Sequence, residues 1–130
     1  MDTRRKVEKP AKRGTTAILL GITLVASAVH FADNAFRLDL YPGPVWLTRY
    51  DVLLAWLALP LFAWLAYRSA SRAGLVAYGL LGFAGFAHFL VPRHHTVQMR
   101  CMFTIFAEAA ASVALIAYVL SRGAFNDSRA

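Results

Sequence analysis

Cysteine is nearly absent from this 130-residue chain, which contains Cys101 and no other. A single cysteine excludes an intrachain disulfide bond and a zinc site built from several cysteines. Charged residues make up only 16% of the chain, whereas hydrophobic residues make up 58%. The hydrophobic residues form long blocks rather than the alternation expected of a soluble domain, and each block approaches the ~20 residues that cross a bilayer. The composition therefore predicts a polytopic membrane protein of one domain.

The apolar blocks predict an all-α fold, a four-helix transmembrane bundle. The loops between them contain the helix-breaking stretch Pro42-Gly43-Pro44 and the pair His94-His95. The predicted organisation is a basic tail at 1–14, a membrane domain at 15–121 with helices at 15–36, 46–67, 73–91 and 101–121, and a polar tail at 122–130.

The net charge of +7 is concentrated near the amino terminus, where six of the fourteen basic residues occupy the first thirteen positions. Positive charge before an apolar helix fixes topology and contacts anionic lipid, so we expect the bilayer as a partner and no nucleic acid. Ten of the basic residues fall on the side of the two termini, and the other side has Arg37, Arg49, Arg93 and Arg100. The positive-inside rule predicts that both termini are cytoplasmic, in a multi-pass protein that we expect in a bacterial cytoplasmic membrane.

The first apolar block also has features of a signal peptide, since a basic start and an apolar run precede Ala26-Ser27-Ala28. The apolar stretch continues beyond this point to Phe36. We therefore interpret the block as a retained helix.

Ionisable residues interrupt all four apolar blocks. Such residues cost roughly 2.5–3.5 kcal/mol each on insertion scales, so they rarely occur in a bilayer without a partner or a function. Because the helices alternate in direction, five of these residues fall within roughly 10 Å of one level in the outer half of the membrane. They are His30, Asp33, Asp51, His88 and Glu108.

Helical spacing puts further polar side chains on the same helix faces as His30 and Glu108. Asn34 shares a face with His30 in the first helix, and Thr104 and Ser112 share a face with Glu108 in the fourth. The sequence therefore predicts a polar site in the bundle interior, towards the outer side of the membrane.

Histidine and carboxylate side chains bind transition metals, and our preferred interpretation is a small membrane metalloprotein. It would use zinc, copper or iron for redox, metal-handling or enzymatic chemistry. A second option is haem b between His30 and His88, with the glycines of the third helix making room for the macrocycle. The predicted metal ligands are His30, Asp33, His88 and Glu108, supported by Asn34, Asp51, Thr104 and Ser112.

Two alternatives need no metal. A carboxylate and a histidine can form an acid–base pair for proton transfer or isomerisation, or line a lipid-binding site. The chain can also be a non-catalytic accessory or assembly subunit of a larger membrane complex, or a homo-oligomer. In that case Arg37 pairs with Asp33, four residues away, and the polar network serves only to hold the helices together.

Two stretches, Asp33–Pro42 and Leu59-Pro60-Leu61-Phe62, resemble the EXPERA group of four-helix sterol-isomerase membrane proteins. Proteins of that group carry acidic residues or histidine on their first helices, around a membrane-facing ligand cavity. The resemblance implies a lipid substrate for the metal-free alternative. The chain departs from the group because no glutamate precedes Leu59-Pro60 and because histidine dominates the third helix, so no residue role is carried over.

Overall fold

The computed structural model describes residues 13–41, 45–90 and 99–122, and in these ranges the fold is all-α with no β-strand. The predictions for most of both tails, for Pro42-Gly43-Pro44 and for His94-His95 lie outside the described residues. The elements are α1 (Arg13–Phe36), a first 3₁₀ helix (Leu38–Leu40), α2 (Arg49–Arg68), α3 (Arg72–Leu81), a second 3₁₀ helix (Ala84–Phe89) and α4 (Met99–Arg122). The prediction of an all-α chain with four helices is confirmed.

Three of the helices, α1, α2 and α4, are long and apolar enough to cross a membrane. Each helix packs mainly against two neighbours, in the order α1, α2, α3, α4 and back to α1. One end of this ring, where α1 begins and α2 ends, is filled by apolar side chains. They are Leu20, Ala63, Ala66, Leu75, Tyr78, Leu115 and Val119.

A capping box fixes the start of α2. The backbone N–H of Thr48 donates to the Asp51 carboxylate at 2.8 Å, and the backbone N–H of Asp51 donates to the Thr48 hydroxyl at 3.3 Å. These bonds satisfy N–H groups that the first turn of a helix leaves without partners. As a result, α2 begins at Arg49 rather than at the predicted Trp46.

The third helix is shorter than predicted. Because α3 ends at Leu81 and residues 84–89 form a 3₁₀ helix, the prediction of one continuous helix over 73–91 is wrong. A 3₁₀ helix rises ~2.0 Å per residue, against ~1.5 Å for an α-helix. Laid end to end, α3 and the second 3₁₀ helix therefore reach roughly 30 Å, about the thickness of a bilayer core.

Glycines let the third segment, which comprises α3 and the second 3₁₀ helix (residues 72–89), lie close to α4. A Cβ atom at Gly79 would be 2.6 Å from Cγ1 of Ile116, and a Cβ atom at Gly82 would collide with the side chain of Ser112. The contacts move back along α4 as the third segment advances, so the two run antiparallel. This register carries the second 3₁₀ helix to the end of the bundle opposite the apolar core.

Replacing Gly79 with alanine is expected to lower the free energy of unfolding by about 1–3 kcal/mol, the usual effect of adding a methyl group to a packed interior. The clashing atom of Ile116 is attached directly to Cβ, so it cannot swing away freely. Gly21→Ala in α1 is the matched control, because a Cβ there meets no atom within 4 Å. Denaturant unfolding in detergent, followed by circular dichroism, measures the difference. Equal stability of the two variants would contradict the close packing of α3 on α4.

Candidate functional site

The first helix buries its polar side and exposes its apolar side. Thr23, Ser27 and His30 are each at most 2% exposed, whereas Ile22 and Val29 are more than half exposed. The buried positions recur every three or four residues, which places them along one side of the helix. The polar side faces the other helices, so α1 delivers hydrogen-bonding groups to the bundle interior.

At the centre of the interior, the imidazole of His30 meets the carboxylate of Glu108 from α4. Nδ1 of His30 lies 3.3 Å from Oε2 of Glu108, and the two residues are 2% and 3% exposed. The distance is that of an ion pair, but the ring nitrogen does not have the geometry of a hydrogen bond. The two groups are therefore close enough to exchange a proton after a small rotation.

Three further buried hydroxyl groups lie among the packed helices. The hydroxyls of Ser27, Tyr78 and Ser112 have no hydrogen-bond partner among the described residues. Ser27 neighbours the Glu108 carboxylate as a hydrogen-bonding group without meeting the geometry of a hydrogen bond, and Tyr78 lies within range of the charge on Glu108. Ser112 lies one helical turn further along α4. Most buried polar groups in proteins are hydrogen-bonded to protein or to ordered water, so this concentration of free donors and acceptors is unusual.

A second polar layer lies between the pair and the first 3₁₀ helix. The hydroxyl of Tyr41 donates to the Asp33 carboxylate at 2.5 Å, and Nε of Arg37 lies 3.4 Å from the same carboxylate. Burial and this hydrogen bond raise the pKa of the Tyr41 phenol, which keeps it protonated as a donor. The amide nitrogen of Asn34 lies 3.3 Å from Nε2 of His88, which fixes the ring of His88 above the interior.

Contacts between the rings of His30 and His88 join the His30–Glu108 pair to the second polar layer. The rings of His30 and His88 are stacked with centroids 5.8 Å apart, and the ring of Tyr41 lies 5.5 Å from that of His88. Gly85 makes this contact possible, because a Cβ atom there would be 2.6 Å from Cε1 of His30. The 3₁₀ conformation of residues 84–89 thus brings both Gly85 and His88 to α1.

The predicted ligands form separate pairs. His30 meets Glu108, Asp33 is bonded to Tyr41, and His88 is bonded to Asn34. Over residues 13–41, 45–90 and 99–122, no three His, Cys, Asp or Glu side chains come close enough together to hold a metal ion. The structure therefore does not support the predicted metal-binding set.

The space predicted for a haem along the glycines of the third segment is filled by protein. Side chains of His30 and Ile105 occupy it at Gly85, and those of Ser112 and Ile116 occupy it at Gly82 and Gly79. At these glycines the described residues do not show the opening that the haem option expected, and the haem option stays a prediction.

The four predicted supporting residues separate into two groups. Asn34 and Ser112 lie in the interior, as described above. Thr104 instead donates to the carbonyl of Cys101 within α4 and lines the outer surface between α1 and α4. Asp51 is exposed and caps α2, so it is not part of the cluster.

Tyr41 and Cys101 contact the buried polar residues Asp33 and Asn34, but the sequence pattern did not indicate either of them as a site residue. Tyr41 follows the first 3₁₀ helix, where no helical periodicity indicates which way a side chain points. Cys101 is fully buried, and its thiol donates a weak, long hydrogen bond to Asn34 at 3.9 Å. The position of Cys101 seven residues before Glu108 on the same face of α4 is the signal that could have found it.

Comparison with protein-family models, curated proteins and solved structures finds no match, so the function rests on the site itself.

Tyr41→Phe is expected to destabilise the protein by about 1.5–3 kcal/mol, the usual contribution of a hydrogen bond to a charged group. Tyr50→Phe is the control, since Tyr50 is 70% exposed and lies at the start of α2. Denaturant midpoints in detergent compare the two. If the Tyr41 variant loses no more stability than the Tyr50 variant, the phenol–carboxylate bond does not hold the first loop onto the bundle.

Proposed function

We propose that this chain is a multi-pass membrane protein whose buried His30–Glu108 pair performs acid–base chemistry on a lipid-soluble substrate. The proposal rests on the buried hydroxyl groups near the pair that have no hydrogen-bond partner within residues 13–41, 45–90 and 99–122. A network that only holds helices together should satisfy its own hydrogen bonds. Free groups around an imidazole and a carboxylate instead suit a polar part of a substrate, or water that accompanies it.

Two features support the membrane location. The first is that α1 buries its polar side chains and exposes its apolar ones, and the second is the apolar outer surface of the bundle. Large side chains of α2 and α4 are exposed in the same way, among them Leu57, Trp64 and Phe103. Such a surface in contact with water would be a strong aggregation hazard. The acyl chains of a bilayer would cover it at no such cost.

Four crossings are supported by the length of the third segment, which follows α4 over roughly the thickness of a bilayer core. An even number of crossings puts the two termini on one side, and the distribution of Arg and Lys makes this the cytoplasmic side. We assign the protein to a bacterial cytoplasmic membrane, with the polar site in the outer half of the bilayer.

The chemistry follows from two titratable groups in contact. One group can remove a proton from a carbon atom of the substrate while the other returns a proton at a second position. Such an isomerisation moves a double bond and needs neither a redox partner nor a metal. His88 and Asn34 would hold the imidazole of His30 in place from above through the ring contact.

Cysteine labelling tests the topology. In a Cys101→Ser background, a membrane-impermeant maleimide applied to intact cells should label Val45→Cys, whose parent residue is fully exposed before α2. Ser69→Cys, after α2, and Ala130→Cys should be labelled only once the membrane is permeabilised. Labelling of Ala130→Cys from outside would overturn the proposed orientation.

Deuterium exchange tests the chemistry without knowledge of the substrate. Purified protein in detergent is incubated in D₂O with a total lipid extract of the source membranes, and mass spectrometry follows deuterium incorporation. Glu108→Gln should lower the incorporation rate at least about 100-fold, the lower end for loss of a general acid or base. Asp51→Asn is the matched control, because it makes the same change at an exposed carboxylate outside the cluster.

Four outcomes would contradict the proposal. Deuterium incorporation equal to that of a blank without protein would contradict the proposed acid–base chemistry. Equal incorporation rates for the parent protein and Glu108→Gln would also contradict it. Stoichiometric zinc, copper or iron that disappears in His30→Ala and His88→Ala would restore the metalloprotein prediction. Constant copurification with larger membrane subunits, together with no incorporation, would favour the accessory subunit.

A further inference from the structure

A groove runs along the outside of the bundle between α1 and α4. An outer cavity of about 450 Å³ has apolar walls that include Val29, Phe36 and Phe103. An inner cavity of about 510 Å³ is lined by residues such as Val25 and Ala107. Both volumes lie within the ~300–1,000 Å³ typical of small-molecule sites.

The two cavities occupy consecutive turns of the same two helices. The α1 residues that line them extend from Ile18 to Phe36 at successive steps of one or three, and they therefore mark one side of the helix. This distance is roughly 27 Å along the helix axis, close to the full thickness of a bilayer core. The small side chains of Gly21, Ala107 and Ala111 form the floor of the inner part.

The outer end of the groove is cationic. Arg37 and Arg100 line it, together with Asp33. Asp33 pairs with Arg37 at 3.4 Å, whereas Arg100 forms no ion pair within the described part of the chain. The charge of Arg100 is thus left uncompensated in the described part of the chain. It lies at the same end of the groove as Arg37, whose guanidinium contacts Asp33 through Nε.

A second copy of the chain and an inorganic phosphate each fit the groove less well than an anionic amphiphile. A second copy that docked by two-fold symmetry would bring the same arginines of both copies together, which like-charge repulsion opposes. An inorganic phosphate would use the arginines but would leave the long apolar walls uncovered. An amphiphile with one anionic end and a hydrocarbon chain uses both parts of the groove.

We infer that the α1–α4 groove binds an anionic phospholipid, with its phosphate at Arg37 and Arg100 and an acyl chain along the cavities. Guanidinium groups bind phosphate through paired N–H donors, and the apolar walls replace neighbouring lipid tails. This site is separate from the His30–Glu108 pair, and it does not depend on the acid–base proposal.

Native mass spectrometry of the protein in detergent tests the inference, with phosphatidylglycerol and phosphatidylcholine of identical acyl chains as probes. Phosphatidylglycerol should bind more tightly. Arg100→Gln should weaken its binding about fivefold, the effect of roughly 1 kcal/mol per basic residue at an anionic lipid. Arg49→Gln, at an exposed outer arginine of α2 that does not line the groove, should leave binding unchanged.

A second pair of variants tests the acyl chain. Ala107→Phe fills the inner cavity and should weaken long-chain phosphatidylglycerol but not a six-carbon analogue. Ala58→Phe, at an exposed position of α2, is the control. Glu108→Gln should retain lipid binding even where it abolishes deuterium exchange, so the two proposals fail independently.

Equal binding of the two lipids, or equal weakening by Arg49→Gln and Arg100→Gln, would overturn the inference. Displacement of bound lipid by inorganic phosphate, with no effect of Ala107→Phe, would show a phosphate site instead. A dimer that Ala107→Phe converts to a monomer would show that the groove is an interface between copies.

Discussion

The bundle depends on polar groups that are held away from water by the packing of its own helices. Transfer of such groups into an apolar environment is costly unless they find partners, and the cost is greatest for a charge. His30 and Glu108 meet this constraint by contacting one another across the α1–α4 interface. The apolar core at the other end of the ring holds the four helices in the positions that this contact requires.

Backbone conformation is as important to the site as side-chain chemistry. The change from α-helix to 3₁₀ helix after Leu81 lengthens the third segment and rotates its last residues relative to an α-helical course. His88 thereby reaches Asn34, while Gly85 admits the ring of His30. The close approach of backbones that small residues permit in membranes is here combined with a contact between two imidazoles.

The sequence could predict the number of helices, since the length of an apolar block is visible without any tertiary information. It also indicated His30 and Glu108, because helical spacing placed both in polar faces at a common depth. It could not predict the 3₁₀ segment, which depends on contacts with α4, or the position of Tyr41 in a loop without periodicity. Asp51 was misplaced because α2 begins three residues later than predicted, which puts Asp51 in the first turn, where its carboxylate completes the capping box.

The closed ring also sets an order of events during synthesis. Its central contact joins the first helix to the last, and 78 positions separate His30 from Glu108 in the chain. At roughly 5–20 residues per second, α1 waits about 4–16 s before its partner leaves the ribosome. During that interval the polar side of α1 has no α4 to cover it. The polar side of α1 therefore gains its partner on α4 only after every other helix of the bundle has been made.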